Sequence, residues 1–242
     1  MTPEELVAAT AGPIGTIGAT YYFHPDTIAH GKEELGLDGM RFYLFGRGGV
    51  LGDVESPVIA SAFGYFAPSV VAKLWNSSKD KVAPRDAARA ALGCNAKLGR
   101  DKLANVTGLA EFCEAAEQVI ANVNPAGLAL FAGFAAEPLP DDLPARALQL
   151  VVTLRELRGS AHLAAVVVAG VHPAVAHAIR RPGDVANFGW TDELAITDAD
   201  HAALAAADQA TDVLSAGHYV TLSEDQRQAF VAGIEAIGAA IA

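Results

Sequence analysis

Arg155, Arg158 and His162 stand at i, i+3 and i+7 in "LRELRGSAHLAAVVVAGVHP", residues 154–173. Helical spacing puts all three on one side of a segment that is otherwise largely apolar. A guanidinium can clamp a carboxylate or phosphate through two parallel hydrogen bonds, and an imidazole can donate, accept or ligate. A buried cation without a partner is costly, so two readings compete. In the first the groups pair internally; Glu156 falls on the wrong side of the helix, so Asp26, Asp53 or Glu55 would supply the carboxylate. In the second they face a cavity and hold an anionic or oxygen-rich ligand, with Arg158 as the clamp. The opposite wall would be aromatic. "TYYFHP" and "RFYLFGR" bring Tyr21, Tyr22, Phe23, His24, Phe42, Tyr43, Phe45 and Arg47 into one region, with Phe63, Tyr65 and Phe66 close in sequence. Such a cluster can equally be plain core, but rings with polar tips beside ionisable groups are how small-molecule sites are commonly built. The candidate ligand-binding set is Tyr22, Phe23, His24, Arg47, Tyr65, Arg155, Arg158 and His162.

Other chemistry finds less support. His24 and His30 are six apart and His172 and His177 five apart, spacings that do not put both imidazoles on one helical face, and HExxH is absent, so no metal site is expected. Ser160 lies near His162 without a GxSxG elbow, and Cys94 has no evident base. Catalytic residues and cofactors are therefore left unassigned, with an enzyme in the same pocket as a third reading. Gly12, Gly15 and Gly18 are spaced GxxGxxG and follow a helix rather than a strand, which fails the dinucleotide fingerprint and predicts a flexible turn.

The net charge is -11, unevenly spread: residues 1–130 carry eleven basic and fourteen acidic side chains, residues 131–242 six and fourteen. One stretch, residues 73–102, is basic, with eight Lys or Arg against three Asp. Affinity for nucleic acid comes mainly from Lys and Arg contacts, so Lys79, Lys81, Arg85, Arg89, Lys97 and Arg100 are the candidate DNA-binding residues. The plain alternative is a solvated helical face paired with Asp80, Asp86 and Asp101. "MTPEELVAAT" has acids where a secretory signal carries basic residues, Pro173 and three histidines interrupt the longest apolar run, and Cys94 and Cys113 read as two reduced thiols; a cytoplasmic protein without membrane contact is expected.

The elements that must position these groups are mostly helices, because Ala-rich segments of period near 3.6 dominate. "DTIAHGKEELGLDG" predicts a short helix stopped by Gly36 and Gly39. "SPVIASAFGYFAPSVVAKLW" predicts one buried helix capped by Ser56 and kinked near Pro68, and the basic stretch holds one or two short helices. Asp142 caps the long helix that carries the cationic trio, with Pro144 just inside. Residues 198–214 form a helix ended by Gly217, "HYVTL" a short strand, and Ser223-x-x-Gln226 a capping box for the last helix. This order looks like a winged helix-turn-helix, whose second helix enters the major groove. That helix, however, carries Asp198, Asp200, Asp208 and Asp212 and no Lys or Arg, so nucleic acid is not expected to bind through residues 198–214. "RGGVLGDVESPVIASAFGYFAPSVVAKLW" and "RGSAHLAAVVVAGVHPAVAHAI" echo each other and suggest a duplication.

Three stretches, "TYYFHPDTIAHGKEELGLDG", "FGRGGVLGDVESPVIASAFGYFAPSVV" and "LPDDLPARALQLVVTLRELRGSAHLAAVVVAG", with a weaker tail containing "GW" and "VTLSEDQRQAF", resemble a mainly actinobacterial, largely uncharacterised family of helix-turn-helix proteins. The resemblance implies a mainly helical fold with winged-helix-like parts and leaves the activity open, since fold does not fix function. Near Leu157 the chain departs from that pattern with "ELRGSAH". The expected architecture is mostly α: two related helical halves, 1–130 with the aromatic cluster and 131–242 with a winged-helix-like end. The expected function is binding of a small anionic or aromatic molecule between the Arg158/His162 helix and the aromatic half; the alternative is a transcriptional regulator contacting DNA through residues 73–102. A homodimer would follow from an exposed Ala/Val face.

Overall fold

The structure, a computed structural model, describes residues 1–191 and 194–242. Among these it contains twelve α-helices, three short 3-10 turns and no strand. The first half supplies α1 (Pro3–Ile17), α2 (Pro25–Leu35), α3 (Gly39–Gly48), α4 (Ser56–Phe63), α5 (Pro68–Lys79), α6 (Pro84–Leu103), α7 (Leu109–Asn122) and α8 (Ala129–Ala135). The second supplies α9 (Leu143–Val168), α10 (Pro173–Arg180), α11 (Asp198–Tyr219) and α12 (Glu224–Ile241).

Helix α9 is the axis. Its first half is buried all round, from Ala145 to Leu157, because α6, α7, α8, α11 and α1 pack against it from different sides. The more apolar second half is the less buried: Val167 and Val168 are 60% and 89% exposed. Gly99 lets α6 cross α9 closely, since a Cβ there would lie 2.6 Å from the Pro144 carbonyl oxygen. Helix α1 closes the other side against α11 and α12. One continuous apolar core runs from Leu6 to Ile237 and so draws on both sides of the 130/131 division. A smaller cluster around Val166, Val171, Ala176, Leu204 and Ala207 ties α10 and α11 to the end of α9.

Several local expectations hold. The Asp142 side chain accepts from the Ala145 N–H, Ser223 and Gln226 form a reciprocal capping box, and Gly36 ends α2 with a left-handed φ of +64°. Others are corrected. Gly12 and Gly15 lie inside α1, which runs through Pro13, and Gly18 caps it, so the GxxGxxG segment is helix and not a flexible turn. Residues 56–79 form two helices, broken at Gly64, with Glu55 rather than Ser56 in the cap position. The basic stretch holds a single twenty-residue helix, α6, after the end of α5. Helix α11 passes Gly217 to end at Tyr219, because Ala216 and Tyr219 are buried in the core, and residues 220–222 turn instead of forming a strand. Without a strand there, the described residues contain no wing. No single described helix is long and apolar enough to cross a membrane; α9 and α10 pass only as a pair, bent by 116° at the break before Pro173.

Candidate functional site

Helices α1, α3, α4, α9, α10 and α11 surround an open cleft of about 750 Å³. Its positions follow from local structure. On α9, Arg155, Arg158, Gly159 and His162 lie on the flank that α6 and α7 leave open. Gly12 and Gly15 give α1 a bare backbone wall, as nothing lies within 4 Å of where a Cβ would stand on either. Gly18 is bare for a different reason: its Cβ would fall 2.9 Å from Arg155 Cδ, so glycine lets that side chain pass. The break at Gly64, with φ +68°, turns Tyr65 toward α9.

At the inner end sits a buried ionic cluster. Glu156 is fully buried and accepts from Arg47 through Nε at 3.0 Å and Nη2 at 2.7 Å, from Arg155 Nη1 at 2.6 Å and from the Tyr22 hydroxyl at 3.0 Å. Arg47 also lies over the Phe63 ring, 4.5 Å from its centroid. Burial pushes the Glu156 pKa up, but Arg47, Arg155 and the Tyr22 hydrogen bond outweigh it and hold the carboxyl below its usual value. Glu156 is therefore the internal partner. Asp53 pairs with Lys79 and Asp26 with Lys97, and the trio's partners are Glu156, Asp212, Ser215, Asp208 and Tyr65, so none of the three expected carboxylates, Glu55 included, pairs with it. Glu156 points inward, and Arg155 folds back across one residue to meet it.

A second set of pairs joins α9 to α11. Arg158 donates to Asp212 at 2.6 Å and to Ser215 at 3.2 Å. His162 lies between two partners: Nε2 is 3.0 Å from Asp208 and Nδ1 is 2.6 Å from the Tyr65 hydroxyl. Arg180 of α10 also pairs with Asp208. Burial lowers the His162 pKa, and Arg180 and Arg158 work in the same direction against Asp208. Burial raises the Tyr65 pKa to about 12. At the outer end His177 stacks on Phe188 and Phe188 on Phe66, with centroids 3.8 and 4.0 Å apart. His177 Nε2 is buried and has no hydrogen-bond partner among the described residues, and burial lowers its pKa, with Arg181 adding to the effect.

Five guanidinium groups line the cleft, those of Arg47, Arg155, Arg158, Arg180 and Arg181, and their direct pairs involve three carboxylates, Glu156, Asp208 and Asp212. In a chain of net charge -11 this is a local concentration of positive charge, walled by Tyr43, Phe63, Phe66 and Phe188. Of the ligand-binding candidates, Arg47, Tyr65, Arg155, Arg158 and His162 line it. Tyr22 stands behind it on Glu156, Phe23 is exposed against Tyr43, and His24 is the N-cap of α2, accepting from the Asp26 N–H, so those three are not part of the lining. Arg180, His177, Phe188 and Asp208 also line the cleft but are not among the ligand-binding candidates that the sequence offers. One signal was available: Arg158 and His162 are four apart on α9, as are Asp208 and Asp212 on α11, which is complementary spacing for an antiparallel helix pair.

The DNA-binding candidates are all engaged within the chain. Lys79 pairs with Asp53, Arg85 with Glu137, Arg89 with Asp86, Lys97 with Asp26 and Asp101, and Arg100 with Asp142, while Lys81 donates to the Gly36 carbonyl. Of the expected partners, Asp86 and Asp101 serve; the rest come from other elements. Exposed pairs of this kind contribute little to stability. Among the described residues no group of three or more His, Cys, Asp or Glu side chains gathers as a metal ion would need.

No curated protein matches the sequence, and no solved structure matches it. Residues 8–193, most of the chain, match the profile of a helix-turn-helix family. The protein belongs to that helix-turn-helix family.

Proposed function

We propose that the protein binds a small anionic molecule with an aromatic or apolar body, held in the cleft beside Arg155, Arg158, His162 and Arg180 on a helix-turn-helix scaffold. The observation that carries this reading is a cavity of about 750 Å³ lined by five arginines in a strongly acidic chain. Arg155 spends only Nη1 on Glu156 and Arg180 only Nη2 on Asp208, so each keeps further N–H donors for a ligand. The Phe66–Phe188 stack suits the ligand's apolar end. The cavity volume is in the range usual for metabolite-sized molecules.

The test is a thermal-shift and calorimetric screen with benzoate, benzenesulfonate and phenyl phosphate against neutral benzamide. The anions should raise Tm and benzamide should not. Gly15→Leu should remove the response without lowering the Tm of the free protein, because the new side chain meets open cleft while the helix gains propensity of about 0.8–1 kcal/mol. Anions that bind equally well to Gly15→Leu would locate binding elsewhere and overturn the reading.

DNA contact is the second reading, favoured by membership of a helix-turn-helix family. Helix α11 is a poor candidate for it: Asp208 and Asp212 are committed to α9 and α10, and Asp198 and Asp200 occupy the first turn. Arg85, Arg89, Lys97 and Arg100 on the exposed side of α6 are the better ones. Duplex binding that weakens steeply with salt and is lost in Arg89→Glu/Lys97→Glu would favour it.

A further inference from the structure

We propose that the cleft takes up its anion together with one proton, that His162 is the group that receives it, and that the proton reverses the hydroxyl of Tyr65 from acceptor to donor toward the ligand. The inference rests on the anion-binding reading above and adds its chemistry. Asp208 is a carboxylate and can only accept, so His162 Nε2, 3.0 Å away, carries a hydrogen. With the imidazole neutral, Nδ1 holds a lone pair, and the hydroxyl 2.6 Å away can only donate to it. The Tyr65 proton is thus committed inward and its oxygen turns lone pairs to the cleft, the wrong polarity for an anion.

The groups facing His162 are Tyr65 from the α4–α5 connection, Arg158 on its own helix, Arg180 on α10 and Asp208 on α11. Burial, with Arg180 and Arg158, lowers the His162 pKa against the pull of Asp208 and so favours the neutral imidazole when no anion is bound. An anion resting between Arg155 and Arg180, beside Arg158, offsets the Arg180 and Arg158 charges that oppose an imidazolium and adds its own attraction for one. Protonated His162 then donates from both nitrogens, to Asp208 and to the Tyr65 oxygen. The Tyr65 hydrogen is freed to rotate about its C–O bond and donate to the ligand. No heavy atom has to move, and no covalent bond forms other than N–H on His162. Arginine stays charged throughout, so the trigger is the single imidazole of the relay.

Isothermal titration calorimetry with benzenesulfonate, which does not itself titrate near neutrality, in buffers of different ionisation enthalpy at one pH reads the proton directly. The expected result is uptake approaching one proton per probe. Between the empty and occupied pKa values of His162, affinity should rise by up to about tenfold for each pH unit lowered. His162→Gln should bind more weakly, without proton uptake and with a flat pH profile. Should that variant fail to fold, nitrogen NMR of the wild-type imidazoles decides: the His162 pKa rises on adding the probe and that of His177 does not follow. Probe binding with no proton uptake, or uptake traced to His177, overturns the inference and leaves anion binding standing. Absence of binding for every anionic probe at every pH removes the anion-binding reading and this inference with it.

Discussion

Replacing Glu156 by Gln tests the ionic cluster at its centre. The substitution keeps shape and one acceptor oxygen, which Tyr22 can still use, but removes the charge facing Arg47 and Arg155 and turns an amide nitrogen toward their donors. The Arg47 side chain is 11% exposed, so it cannot reach water without moving α3. Stranding one member of a buried pair costs about 3–5 kcal/mol. Arg155 is 23% exposed and can swing into the cleft, which places the expected loss near the lower end, about 3 kcal/mol. Urea unfolding followed by circular dichroism measures it. In a double-mutant cycle with Arg47→Met, the pair should recover part of the loss, with a coupling above about 2 kcal/mol, because no guanidinium is then stranded. The pH dependence has a defined sign. The folded carboxyl titrates below its ordinary value of 4.5, so its contribution is complete above that value and is lost as pH falls through the lowered one. Wild type should lose stability over that window, and Glu156→Gln should lose less. A loss under about 1 kcal/mol, or no coupling to Arg47, would refute the reasoning that the buried Glu156–Arg47 pair is mutually dependent.

Two further substitutions probe the framework. Gly64→Ala should cost about 2–3 kcal/mol, since residue 64 has φ +68° and its Cβ would fall 2.3 Å from Leu163 Cδ1; a Tm equal to wild type would contradict the turn that presents Tyr65. Asn95, fully buried in α6, has no partner for either amide atom among the described residues, so Asn95→Leu, of similar shape, should leave stability unchanged or raise it by about 1 kcal/mol. A clear loss in the same urea assay would mean that Asn95 makes hydrogen bonds, through water or otherwise.

The helical class and the starts of several helices were legible in the sequence, because caps and periodicity are local. Asp142, Ser223 with Gln226, and Gly36 each act within a few residues of themselves. The cationic trio was legible as a place to look, since helical spacing alone puts Arg155, Arg158 and His162 on one side. Local rules failed where packing outweighed them: α1 continues through Pro13 and α11 through Gly217, because both helices are held along their length by neighbours.

What only the tertiary structure decided is which charge meets which. Helical spacing turns Glu156 away from the cationic trio, yet it anchors the cluster, since a rotation of α9 that the sequence does not specify points it at Arg47, 109 positions earlier. The Asp208 and Asp212 carboxylates looked like an obstacle to DNA and turned out to be the partners of Arg158, His162 and Arg180. The Tyr65–His162–Asp208 relay joins three separate elements. Residue type and spacing fix the face a side chain occupies on its own helix; the partner opposite depends on how that helix is rotated and crossed against others, which is set by the packing of the whole core.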